Sequence, residues 1–304
     1  MSAIFRLSLL VAAWAVCAAQ AAAAPKVVVS IPPLHSLVAG VMEGVATPEL
    51  LVRGSASIHT YTLRPSQLRV LGRAQVIFRV GPELESFLDK PLATLGDRVR
   101  VVDLIHWPGM VLLPSRRGGV WQQDPHRHGT REHTDNHIWL DPRNAGVIVG
   151  AVAATLSRID PEHAGIYGAN GKALSQRLEQ LDRHLTASLL PVGRKPYLVF
   201  HDAYRYLEAR YGLNAIGAVV ATPERAPGAL RIRNIRKQIR QNGIRCLFRE
   251  PQFHPSWINL LTEESAIRVA DLDPLGADLQ PGPGLYFSLM QNLASALTAC
   301  LNRP

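Results

Sequence analysis

Cysteine is scarce in this chain, with three in 304 residues, too few for a disulfide-dense scaffold. Apolar runs long enough to cross a bilayer are missing beyond the N-terminal leader, where nothing approaches the roughly 18–20 apolar residues that a span needs. There are no heptads, no low-complexity tract and no repeat at the residue level, which argues against coiled coils and solenoids. No HExxH motif marks a zinc-hydrolase helix, and no motif singles out a carboxylate as general base. Where basic residues crowd, in "RIRNIRKQIRQNGIR", no aromatic residues interleave to stack bases, so nucleic acid is not expected as a partner.

What is present begins with a leader. Arg6 is the only charge before the apolar run from Leu7 to Ala19, and the small-residue segment "AAAAP" follows. That is the pattern of a cleavable secretory signal over residues 1–24, with the mature chain starting near Ala23 to Lys26 and exported to the periplasm. Cys17 is a poor lipid-attachment site, because Val16 stands where a small residue is needed. Export leaves Cys246 and Cys300 in an oxidising compartment, where they are expected to pair; two buried thiols are the alternative. The bridge would close about 54 residues, worth roughly 4 kcal/mol in the loop-entropy account.

Losing Arg6 takes the formal charge from +9 to +8, still basic. In the densest basic stretch Ile232, Ile235 and Ile239 recur at helical spacing with arginines on the other faces, an amphipathic helix with a solvated side in preference to a binding patch.

The length suits two domains. From Lys26, β-branched runs alternate with helical ones: "KVVVSI" then "LHSLVAGVMEG", "TPELLV" then "PSQLRVLGRA", "VIFRVG" then "ELESFLDKPL", then "RVRVVDL". Such alternation predicts an α/β lobe with a mainly parallel sheet over residues 25–141. Its last part, 106–136, is a loop rich in Pro, Gly, Arg and His, long enough to be functional. Helical spacing resumes at Pro142, with Asp141 as N-cap. A second helix from Pro161 to Leu189, carrying Leu174, Leu178, Leu181 and Leu185, would span roughly 43 Å and serve as a stiff connector. Residues 142–190 thus hold the connecting helices. Strand and helix patterns then alternate again over 191–304, with helices expected at 202–211, 228–241, 255–265 and 284–301. The fold class is α/β: two lobes with mainly parallel sheets joined by a long rigid helix.

Eleven histidines are enough to look for a metal site. His201 ends the strand "YLVFH", where open α/β sheets bind their ligands. His59 lies in a loop after the second strand, His137 follows the long loop in "DNHIWLDPRNA", and Asp273 ends the last strand in "VADLDPLG". Three imidazoles and one carboxylate would suit four-coordinate zinc, whereas manganese is better served by more oxygen ligands. His35, His106, His163, His184 and His254 have no partner motif and are read as packing, capping or surface residues. Asp202 is read as a helix cap rather than an acceptor orienting His201, and Trp139 as a packing residue.

The segments "HTYTLRPSQLRVLGRAQVIFRVGPELESFLDKPL", "DNHIWLDPRNA", "FHDAYRYLEARYGL", "CLFREPQFHP" and "LDPLGADLQPGPGLYFSLMQNLASALTACL" resemble, in order and over nearly the whole mature chain, the periplasmic zinc-binding proteins of ABC importers. The resemblance implies the cluster A-I solute-binding fold, a single Zn2+ in the cleft, and delivery to an inner-membrane ABC permease by a monomer that is not an enzyme. It also implies that His59, His137 and His201 are ligands, that Asp273 or water takes the fourth place, and that Cys246 pairs with Cys300. The manganese branch carries Glu where His201 stands. Thr60 replaces the Asp that often follows the first histidine, and Ile58 the Glu that precedes it in some members. The long loop is shortened relative to members with a dense His/Asp tract; His126, His128 and His133 remain, either as a zinc-capturing arm or as incidental residues of a solvated loop. A Mn2+-binding protein, a metal scavenger or adhesin without a transporter, and a zinc hydrolase are the alternatives.

Overall fold

The β-branched runs do form strands. The computed structural model describes residues 23–116, 121, 134–220, 226–253, 258–262 and 266–303, so residues 1–22 of the expected leader lie outside the described residues. In the first lobe β1 (Val27–Val29), β2 (Glu49–Leu50), β3 (Val76–Arg79) and β4 (Arg100–Asp103) form a sheet in the order β2-β1-β3-β4, parallel throughout. Helices α1 (Pro32–Val41), α2 (Pro65–Leu71) and α3 (Asp89–Leu95) make the crossovers. After α4 (Pro142–Ile159) and α5 (Ala164–Leu189), the second lobe places β5 (Pro196–Val199), β6 (Asn214–Ala218), β7 (Cys246–Arg249) and β8 (Arg268–Asp271) in the order β6-β5-β7-β8, again all parallel. Helices α6 (Arg205–Tyr211), α7 (Ala229–Gln241), α8 (Ile258–Thr262) and α9 (Leu285–Leu301) complete it.

The two lobes repeat one plan in topology, without a repeat at the residue level. Val29 pairs with Phe78 as Val199 pairs with Phe248. Arg79 faces Asp103 across the third and fourth strands as Arg249 faces Asp271, and each arginine Nε donates to its aspartate, at 2.6 and 2.5 Å. The shared signal is as short as "IFR" against "LFR", too little to show without the register.

Local chemistry explains the helix boundaries. Asp141 accepts from the Arg143 backbone N–H at 2.9 Å while Pro142 opens α4, a position where its missing N–H costs nothing. The long helix begins three residues later than expected: Pro161–His163 form a 3-10 turn, and α5 proper has 26 residues, about 39 Å at 1.5 Å per residue. Gly171 does not break it. A Cβ there would lie 3.2 Å from that of Ala153 on α4, so the glycine lets the two helices approach closely. α6 starts at Arg205, not 202, because residues 201–204 turn out of the sheet first.

One hydrophobic core runs through both lobes, built from α1 (Leu34, Leu37), α4 (Ile148, Val152), α5 (Leu178, Leu185) and α9 (Leu289, Leu293). Hydrogen bonds stitch the same seam: Trp139 Nε1 donates to the Pro274 carbonyl at 2.8 Å, and Tyr286 donates its hydroxyl to the Trp139 carbonyl at 2.7 Å and its backbone N–H to Ser36 Oγ at 2.9 Å. Cys246, first in β7, is bonded to Cys300 near the end of α9, as the cysteine count predicted. Among the described residues no helix is long and apolar enough to cross a membrane.

Candidate metal centre

In the second sheet β5 and β7 are central neighbours whose crossovers leave in opposite directions. A crevice therefore opens beyond their carboxyl ends, the place where open α/β sheets receive ligands. His201 stands two residues after β5 and Glu250 directly after β7, so the parallel order brings residues 49 apart in sequence side by side. Glu250, 2% exposed, sits with Oε1 2.5 Å from His201 Nδ1. With Nδ1–H donated to the carboxylate, the imidazole lone pair is directed through Nε2.

The equivalent crevice of the first lobe is filled by its own chain. Glu85 is fully buried there and accepts from Ser30 Oγ at 2.6 Å and from the Val80 and Gly81 N–H groups at 2.9 Å each. Burial pushes its carboxyl up to about 7 against those donors. The first lobe contributes to the cleft from its loops instead.

His137 comes from the turn before α4. Asp135 Oδ1 accepts from the His137 backbone N–H at 2.9 Å and pairs with ring Nδ1, also at 2.9 Å. Burial opposes the charged imidazole, and the Asp135 carboxylate outweighs it, so the His137 pKa lies above its ordinary value. Asn144 pins the loop start onto this turn, its amide donating to the Val111 and Ile138 carbonyls at 3.0 and 3.1 Å. His59 arrives on the loop between β2 and α2 and is exposed, whereas the other two rings are buried.

The ligand atoms of His59, His137 and His201 lie within 4.8 Å of one another. Ring centroids are 5.4 Å apart for His59–His201 and His137–His201, and 6.1 Å for His59–His137. The space they line, closed by Trp139 and Phe253, is about 10 Å3, on the order of one water molecule's requirement. It has room for an ion and no room for an organic solute.

Asp273 stands apart from this group. Its Oδ1 accepts from Gln252 Nε2 at 2.7 Å and the Leu275 N–H at 2.9 Å, and its Oδ2 from the Ala277 N–H at 2.5 Å. Both oxygens serve the Asp-Pro-Leu-Gly turn, and among the described residues the converging group contains the three histidines alone. His126, His128, His133 and His254 lie outside the described residues. His35 is buried with Nε2 3.0 Å from the Pro48 carbonyl, and His163 pairs with Asp160 at 2.8 Å. Trp139 is buried, as read.

Asp202 is neither a helix cap nor an acceptor for His201. Both its oxygens receive Arg116 Nε, at 3.0 and 3.1 Å, while Arg116 Nη1 reaches Glu208 at 2.5 Å. Burial pushes the Glu208 carboxyl up to about 7 while Arg116 holds it down. Sequence reasoning missed this clasp, and it missed Glu250.

The family described as "Zinc-uptake complex component A periplasmic" (ZnuA) matches residues 27–300. The chain belongs to the ZnuA family. It is 41% identical to the high-affinity zinc uptake system protein ZnuA of Brucella suis biovar 1, over 91% of this chain and 92% of that protein. A crystal structure of ZnuA matches with a TM-score of 0.78 at 24% identity, over 91% of this chain and 99% of that one. The SBP FpvC of Pseudomonas aeruginosa, solved in complex with Mn2+, has the same fold with a TM-score of 0.78 at 19% identity, over 91% and 98% of the two chains. The long connecting helix and two parallel-sheet lobes of the ZnuA neighbours are those of the cluster A-I fold, as the motifs implied.

Proposed function

We propose that this protein captures Zn2+ in the periplasm, in the cleft between its lobes, and delivers it as a monomer to the permease of an ABC importer in the inner membrane. The observation that carries this reading is the convergence of His59, His137 and His201 from both lobes on a space the size of one ion. Three neutral nitrogens suit Zn2+ better than Mn2+, which favours oxygen ligands. Nitrogens around a tetrahedral zinc at about 2.0–2.1 Å lie roughly 3.3 Å apart, so only a small inward movement of the rings is needed. His137 and His201 are the oriented ligands, braced by Asp135 and Glu250, and exposed His59 closes the site. Water takes the fourth position, because recruiting Asp273 would strip three N–H donors of their acceptor. The site binds and releases without catalysis: the two carboxylates that touch its rings are engaged with Nδ1 atoms and are not placed as a base.

The test is calorimetric titration of chelator-stripped mature protein with Zn2+ and with Mn2+, for wild type and His201→Ala. One tight zinc site, weakened by orders of magnitude in the variant, supports the reading. A zinc site unchanged by the substitution, or a preference for Mn2+, overturns it.

A further inference from the structure

The positive charge of this protein is concentrated in one place. The chain has 33 basic and 24 acidic residues. Arg6 belongs to the leader, eight basic residues lie between Glu224 and Glu250 with no acid among them, and the other 24 equal the acids in number. The whole excess of the mature chain therefore falls on α7 and its flanks. Some of these groups have structural tasks. Arg231 donates to the Ala218 and Val219 carbonyls, fastening the helix to the end of β6, and Arg249 pairs with Asp271. Arg233, Lys237 and Arg240 are different: at i, i+4 and i+7 they share one face of α7, all exposed, with exposed Arg245 just beyond the helix. Ile235 and Ile239 on the opposite side are buried in the outer core of the lobe, so the helix is fixed with its cationic face outward. Leu230, 61% exposed, flanks that face on the first turn.

We propose that this face of α7 rests on an anionic phospholipid surface and holds the mature protein close to the membrane. A row of long cationic side chains beside an apolar tip matches a layer of phosphate headgroups above an acyl boundary. α7 has no aromatic residue and no methionine, so its face lacks the bulky apolar anchors that fill pockets at the centre of protein interfaces. It also presents no acids that would set a register against a patterned surface. Each basic residue at an anionic surface strengthens binding by about fivefold, and the effect fades with salt as the screening length shortens.

The experiment is co-sedimentation of the full mature chain with vesicles of phosphatidylglycerol and phosphatidylcholine (1:1), and of phosphatidylcholine alone, at low and high salt. The variants are Arg233→Glu/Lys237→Glu/Arg240→Glu and a control with the same charge change elsewhere, Lys90→Glu/Arg98→Glu/Lys172→Glu. Binding is expected only to the anionic vesicles, tenfold or more weaker at high salt and in the α7 variant, with the control retaining most of it. Zinc affinity should be unchanged in both variants, which separates this proposal from the assignment of the metal site. Absence of binding to phosphatidylglycerol, equal binding to neutral vesicles, or equal losses in both variants would overturn it, the last by showing that net charge matters and the face does not.

Discussion

Replacing Glu250 by Gln tests the architecture of the site without touching a proposed ligand. The carboxylate is 2% exposed and lies 2.5 Å from His201 Nδ1, so the amide keeps the shape and a hydrogen-bond acceptor while removing the charge. What is lost is the electrostatic support that makes the far nitrogen a better donor and fixes the ring's tautomer and angle. Losing such a partner typically weakens metal binding 10–100-fold, about 1.4–2.7 kcal/mol. His137 and its own carboxylate are untouched, so binding should weaken and not vanish. The assay is competition for Zn2+ against a chromophoric chelator, with thermal unfolding of the metal-free protein as the control. That control should show no loss beyond about 1 kcal/mol, since a buried charge has been removed along with its partner's support. An unchanged zinc affinity would refute the argument that Glu250 braces a ligand. A loss equal to that of His201→Ala would refute its assignment to a supporting role.

Asp273→Asn should cost about 1–3 kcal/mol of stability, because the amide nitrogen confronts an N–H donor in the 273–277 turn, while zinc affinity changes less than tenfold; a loss of orders of magnitude in calorimetry would make Asp273 a ligand. Cutting the Cys246–Cys300 bond by the double Ala substitution should lower stability by about 4 kcal/mol for a sequence separation of 54, measured by denaturant unfolding; no loss would mean that the shared core alone holds α9 on β7. Glu85, with its folded value raised from 4.5 to about 7, binds protons more tightly folded than unfolded. It therefore removes stability as pH rises from about 4.5 to 7, up to about 3 kcal/mol in all. Glu85→Gln should erase that component, and parallel pH profiles of wild type and variant would refute it. Zinc should change the radius of gyration in small-angle scattering by less than about 1 Å; a larger change would require the lobes to hinge.

Much of the fold was legible because the local signals agree. β-branched runs end where helical spacing begins, and Asp141-Pro142 caps and opens α4 in adjacent positions. His59, His137 and His201 could be singled out because each sits at a strand mouth or loop end within a recognisable motif. Glu250 was illegible for a different reason. Nothing in "CLFREPQFHP" shows that its strand lies beside β5, and the partnership exists only once the order β6-β5-β7-β8 is known. Asp273 carries two readings at once. A carboxylate at a strand end looks like a ligand, yet in Asp-Pro-Leu-Gly, with Gly276 at φ 72°, it is also what a tight turn uses to bind its own backbone. Asp202 sits just ahead of α6, where a cap is the local expectation, while its partner Arg116 comes from 86 residues earlier in the chain.

The shared core sets how such a site can work. A two-lobed binding protein with a flexible linker opens by hinge rotation, which needs an interface that separates at little cost. Here α1, α4, α5 and α9 belong to one apolar core, and Trp139, Tyr286 and Ser36 hydrogen-bond across its seam. Opening the cleft by rotation would expose that core, at a cost of roughly 25 cal/mol for every Å2 of apolar surface uncovered. A separation uncovering only a few hundred Å2 would already consume much of the 5–15 kcal/mol that keeps a typical domain folded. His137 and His201 are tied to this frame by their carboxylates; His59 is exposed, although its neighbour Ile58 is buried in the same core. On the proposed ligand set, exposed His59 is the one a partner would displace with least disturbance of this frame, which would leave Zn2+ on two imidazoles, far more weakly held.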